Sequence, residues 1–227
     1  MDVASKVIFD DAVGFYRQGK LNKSLEICQG LLSRNEEDEN IQTLLGIVLI
    51  QLCRPLDALD YLKKAALYNP ENLDANYNLG VIYHQLFKVD EAVACYQQVL
   101  KLQPSHCDAL NNLGALFFSI YKYEESLFFY NKVIEINPCY AKAYNNKGLI
   151  LGLMNRIEDA VECFEKALEI DPNYEYLLDT LIYFKMRASD WSNFNKNKSK
   201  LISQALKRAK VSTGFSVLAI DESQKIH

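Results

Sequence analysis

A proline returns every 34 residues along most of this chain. Asn69-Pro70, Gln103-Pro104, Asn137-Pro138 and Asp171-Pro172 keep that spacing, and so do four glycines, Gly46, Gly80, Gly114 and Gly148. Two independent sets of markers on one period restrict the chain to a stack of like units. A unit of this length cannot enclose a core alone and must bury its apolar face against its neighbours. A stack of that kind offers a long face and no obvious reaction pocket, so it points to binding before catalysis.

With Gly46 at position 8 of a unit, the units run 39–72, 73–106, 107–140 and 141–174. A weaker unit occupies 5–38, with Ala12 in place of the glycine, and a degenerate one starts at 175, with Ile182 there. Position 20 is Ala58, Ala92, Ser126 and Ala160; position 24 is Leu62, Tyr96, Tyr130 and Phe164; position 27 is Ala65, Val99, Val133 and Ala167. Small residues at 8 and 20 predict two helices in close approach, because larger side chains would force the backbones apart. The bulky residue at 24 is expected to fill the space between hairpins, and the proline to end the second helix. Apolar residues recur at three- and four-residue spacing in Asp108–Phe117 and Tyr123–Ile136, which predicts two amphipathic helices. The short link at Tyr121-Lys122 makes them antiparallel. The fold class expected is all-α, a solenoid of antiparallel helix pairs.

This pattern resembles the tetratricopeptide repeat over residues 5–174. The resemblance implies a right-handed superhelical array whose concave face is lined by the first helix of each pair. The sequence departs from the pattern at Leu44-Leu45-Gly46, where Asn-Leu-Gly is usual, and at Pro55 near a turn.

On the implied inner face, position 6 carries Asn78, Asn112 and Asn146, with Leu44 in the first full unit. Position 5 carries Thr43, Tyr77, Asn111 and Asn145, and position 2 carries Asn40, Asp74, Asp108 and Lys142. A carboxamide both donates and accepts, so a file of asparagines can hold the backbone of an extended peptide whatever its side chains. The alternative is that each asparagine bonds within its own hairpin or to the next helix. The peptide-binding candidates are Asn78, Asn112, Asn146, Asn111, Asn145, Asp74, Asp108 and Lys142. Use of such a file as a peptide ladder is what resemblance to the family's glycosyltransferase branch implies. Some tetratricopeptide domains clamp chaperone C-termini with basic residues at positions 2, 5 and 6. The full units here have none at 5 or 6. His84 and Phe118 share position 12, where contact with a partner competes with packing between repeats.

The formal net charge of −4 is unevenly spread: residues 185–210 hold eight Lys/Arg against Asp190 alone, while residues 1–184 are acidic. The basic stretch reads as a solvated helix face or a contact to an acidic partner, and no nucleic-acid motif accompanies it. The six cysteines form no CxxC pair and have no zinc-ligand spacing, so no metal and no cofactor is expected, and a reducing, cytoplasmic setting is. No signal peptide opens the chain, and no apolar run is long enough for a membrane. Oligomeric state is open, since a solenoid end or convex stripe could support self-association.

Beyond Pro172 the repeat decays. Residues 196–210 place Leu201, Ile202, Ala205, Leu206 and Ala209 at helical spacing, a stripe suited to cover the last hairpin. Asp190 can cap the segment after it, with Trp191 packed over that joint. Phe184 to Phe194, with Asp190-Trp191 inside it, and then Gly214-Phe215-Ser216-Val217-Leu218-Ala219 resemble the junction between repeats and catalytic region in O-linked N-acetylglucosamine transferase and SPINDLY-like glycosyltransferases. The resemblance implies a substrate-recognition arm of an enzyme that glycosylates protein hydroxyls. None of that family's catalytic residues has a matching position here, so the chain itself is expected to be non-catalytic. A free-standing adaptor that docks through 196–210 is the other reading.

Overall fold

The structure is a computed structural model that describes residues 3–34, 37–174 and 176–188. Trp191, the 196–210 stripe and the tail with Gly214–Ala219 therefore lie outside the described residues. Among the described residues the fold is all-helical, with α1 (Val3–Arg17), α2 (Leu21–Leu32), α3 (Glu39–Gln51), α4 (Pro55–Tyr68), α5 (Leu73–Gln85), α6 (Val89–Leu102), α7 (Cys107–Ser119), α8 (Tyr123–Ile136), α9 (Ala141–Leu153), α10 (Ile157–Ile170) and α11 (Leu177–Arg187). They divide into two compact units, Met1–Leu116 and Phe117–His227. In the first, each helix from α1 to α5 packs on the next in the chain, and α3 also adjoins both α1 and α5. In the second, α8 packs on α9, α9 on α10 and α10 on α11.

The glycines open slots for single side chains. A Cβ on Gly80 would sit 2.6 Å from Tyr96 Cε1, one on Gly148 would sit 2.6 Å from Phe164 Cε1, and one on Gly46 would sit 2.5 Å from Leu62 Cγ. The position-24 side chain thus lies over the glycine of its own hairpin rather than only between hairpins. The glycine is there because the ring or leucine occupies the volume a methyl would need. Leu62, Tyr96 and Phe164 are fully buried. In the first hairpin the slot is redrawn with smaller parts: Ala12 and Cys28 occupy positions 8 and 24, both fully buried, and Ser24 Oγ donates to the Ala12 carbonyl at 2.9 Å.

Each pair turns through a residue in the left-handed region: Gly19 (φ 72°), Cys53 (59°), Phe87 (57°), Tyr121 (61°) and Asn155 (59°). The next amide donates back to the carbonyl five residues earlier, Lys88 to Tyr83 at 2.9 Å and Arg156 to Leu151 at 2.8 Å. This closes the carbonyls left open at a helix end. The second helix ends in an extended residue before each proline, Asn69, Gln103, Asn137 and Asp171, with φ between −126° and −137°. The proline ring excludes the helical conformation from its predecessor. Pro55 opens α4 in its first turn, where the missing N–H has no helical partner in any case.

Candidate functional site

Three of the first helices, α3, α5 and α7, are capped by a side chain from the link before them, whereas α9 has no such cap. Asp38 accepts from the amides of Asn40 (3.1 Å) and Ile41 (3.3 Å), Asn72 accepts from Ala75 (2.9 Å), and His106 Nδ1 accepts from Ala109 (3.1 Å). These caps set the register in which positions 2, 5 and 6 emerge.

The position-6 asparagines do not share one environment. In the first unit, Asn78 is half-buried and donates to the Asp74 carbonyl of its own helix at 2.8 Å. Asn112 donates to the Tyr77 hydroxyl at 3.2 Å. It is also the polar group facing the Tyr96 hydroxyl, which is fully buried and meets no hydrogen bond of good geometry. Burial drives the Tyr96 phenol far above its ordinary range and raises Tyr77, whose upward shift is reinforced by the Asp108 carboxylate. In the second unit, burial pushes Tyr130 up to about 12, and its phenol lies within bonding reach of Ser126 and Asn146. Asn146 Oδ1 also accepts from Asn145 Nδ2 at 3.3 Å. Asn112 and Asn146 therefore tie their helices to the preceding repeat through a tyrosine, and the Asn112 carboxamide retains further bonding capacity.

Position 5 is used to close the hairpins. Asn72 Nδ2 donates to Thr43 Oγ1 at 2.9 Å, the His106 ring lies 5.2 Å from Tyr77, and Tyr174 reaches Asn145. In each case position 34 of a unit meets position 5 of the same unit. Asn111 is only 4 % exposed, which withdraws it from any surface. Asp74 and Asp108 in the first unit and Lys142 in the second are exposed. His84 is half-buried in α5, and desolvation lowers its pKa below the ordinary 6.5.

A recess not foreseen from the sequence opens where the asparagine file is interrupted. It has a volume of about 380 Å³, with Phe9, Leu44, Ile47 and Leu73 as its apolar lining and Asn40 and Asp74 among its polar groups. The signal was present at Leu44, which the departure from Asn-Leu-Gly marks, but its meaning depends on Phe9 of α1 standing beside it.

Among the described residues no helix is long and apolar enough to cross a membrane, and no group of three or more His, Cys, Asp or Glu is placed to hold a metal ion. The cysteines are unpaired; burial raises Cys28 and Cys95 to about 11.

Residues 73–106, 108–138 and 141–174 match tetratricopeptide repeat families. Those three segments are tetratricopeptide repeats, and the helix pairs around them have the same build, so the described residues share the tetratricopeptide-repeat fold. Among solved structures, it is similar to MamA (23% identity over 76% of this chain and 96% of that one, TM-score 0.66). It is similar also to pilF of Pseudomonas aeruginosa (13% identity, 97% of both chains, TM-score 0.79). A third is YrrB, a repeat protein with an unusual peptide-binding site (21% identity, 80% of this chain and 90% of that one, TM-score 0.64). A search of curated proteins finds no match.

Proposed function

We propose that this chain is a non-catalytic scaffold that holds a segment of another protein, in extended form, against the first helices of its hairpins. The observation that carries the reading is the contact of α3 with both α1 and α5, which sets Asn78, Asp74 and the Leu44 recess on neighbouring first helices. Asn112 supports it through the bonding capacity left after its contact with Tyr77. The peptide-binding site of YrrB is a precedent for the use of the fold. Peptides selected from a displayed random library would be titrated calorimetrically against the wild type and the triple variant N78A/N112A/N146A. The expected outcome is weaker binding by the triple variant; unchanged affinity would remove the asparagines from the account.

A second reading is carried by Asp190-Trp191 and Gly214–Ala219, whose resemblance to the glycosyltransferase junction makes the array the substrate-recognition arm of a protein O-glycosyltransferase. A labelled-sugar transfer assay on the product of the complete gene tests it. Absence of transfer to serine or threonine hydroxyls leaves the free-standing adaptor.

A further inference from the structure

The asparagine file breaks at one place, and the break is specific in shape and charge. Leu44 stands where the other full units carry asparagine, and with Phe9 and Ile47 it lines the 380 Å³ recess. That volume falls at the lower end of ligand-pocket sizes, room for one large side chain with its flanking backbone.

The polar groups of the recess divide into two sets. Thr43 Oγ1 accepts from Asn72 Nδ2 at 2.9 Å and donates to the Glu39 carbonyl at 2.6 Å, while Asn72 Oδ1 caps α5. These groups are satisfied internally, so covering them strands nothing. Asn69 uses only its oxygen, which accepts from the Glu71 amide at 3.0 Å, and keeps its amide nitrogen for a ligand. Asp74 is exposed and is the one charged side chain in the lining, with no cation beside it there. Its surroundings are acidic too: residues 1–116 hold fifteen Asp/Glu against ten Lys/Arg.

We propose that this recess is an anchor subsite for one class of peptide: an extended segment of a partner protein with a single bulky aliphatic or aromatic side chain next to a lysine or arginine. The apolar side chain enters between Phe9, Leu44 and Ile47. The neighbouring cation lies against Asp74, and the peptide backbone accepts from Asn69 Nδ2. The inference rests on the groove-binding reading and adds to it the sequence that the groove selects. On this reading the asparagine positions read backbone, and the interrupted position reads a side chain.

The test is to pan a displayed random dodecapeptide library on the full chain and to measure the selected peptides by fluorescence anisotropy. The expected consensus is Leu, Ile or Phe beside Lys or Arg. Changing that apolar residue to alanine is expected to weaken binding about tenfold, the scale of losing a partly buried aliphatic side chain. Leu44→Asn, which installs the residue found at this position in three other units, is expected to do the same. Asp74→Lys lies on the surface and keeps the test open should Leu44→Asn unfold. It is expected to weaken basic peptides several-fold and to flatten their salt dependence. Selected peptides that ignore both changes but are lost with N78A/N112A/N146A would overturn the anchor and leave the groove. A library that yields no binder at all would overturn both.

Discussion

Gly80→Ala sets two opposing effects against each other within one residue. Alanine is the better helix former by about 1 kcal/mol, so an open helix site would be stabilised. At Gly80 the new methyl would meet three carbons of the Tyr96 ring, at 2.6, 2.8 and 3.0 Å. The ring is fully buried and cannot swing into solvent. Overpacking of this kind costs about 1–3 kcal/mol, and three contacts at or inside 3.0 Å put the site near the upper end. The expected net loss is about 2 kcal/mol, a fall of roughly 5 °C in the thermal midpoint by circular dichroism. The second half of the experiment reverses the sign. Tyr96→Cys copies the smaller residue at Cys28, opposite Ala12. In that background the methyl has room, so Gly80→Ala should then stabilise by about 1 kcal/mol, the propensity difference alone. A Gly80→Ala protein more stable than wild type, or the same effect in both backgrounds, would refute the slot as the reason for the glycine.

The remaining expectations concern thiols, pH, turns and ends. Cys53 and Cys139 are exposed and should alkylate with iodoacetamide at pH 8 within minutes, whereas Cys28 and Cys95, held near 11 by burial, should react only on unfolding; mass spectrometry of partial digests reads this. Because folding lowers the His84 pKa below 6.5, the unfolded chain binds the proton first as pH falls, so stability declines in acid below about that value; His84→Gln should blunt this decline in urea titrations at pH 5 and 7. Phe87 is 80 % exposed and carries φ 57°, so Phe87→Gly should raise stability by up to about 1 kcal/mol by releasing backbone strain without losing buried area; a lower urea midpoint would contradict it. Hydrogen exchange should be faster in α1 and α2 than in α5 and α6, because an outermost hairpin has a neighbour on one side only.

The helix pairs were legible from the sequence because the glycine and proline at positions 8 and 32 are constant in the four full units, and each has a physical reason to be so. The left-handed turn was not. Its five residues, Gly19, Cys53, Phe87, Tyr121 and Asn155, share no chemistry. The signal lay one residue later in an unbroken series of cations, Lys20, Arg54, Lys88, Lys122 and Arg156. Three of them reach the next turn of helix: Arg54 to Asp57 at 2.6 Å, Arg156 to Asp159 at 2.6 Å and Lys88 to Glu91 at 3.8 Å. The link between positions 5 and 34 was hidden for the same reason. Thr43 with Asn72, Tyr77 with His106 and Asn145 with Tyr174 solve one geometric problem with three chemistries. The asparagine file was visible as a spacing. Its division between structure and surface was not, since it turns on whether the preceding unit offers a tyrosine or, as with Leu62 before Asn78, a leucine.

The slots also bear on how the chain comes to be folded. Gly46 and Leu62, Gly80 and Tyr96, and Gly148 and Phe164 are each separated by sixteen residues, so the tightest contact in a hairpin is closed within one turn of the chain. Closing so short a loop takes well under a microsecond, whereas a ribosome adds residues at about 5–20 per second. Each hairpin can therefore meet its own inner contact as it leaves the ribosome, before the next is made. What each must wait for is the neighbour that covers its outer side.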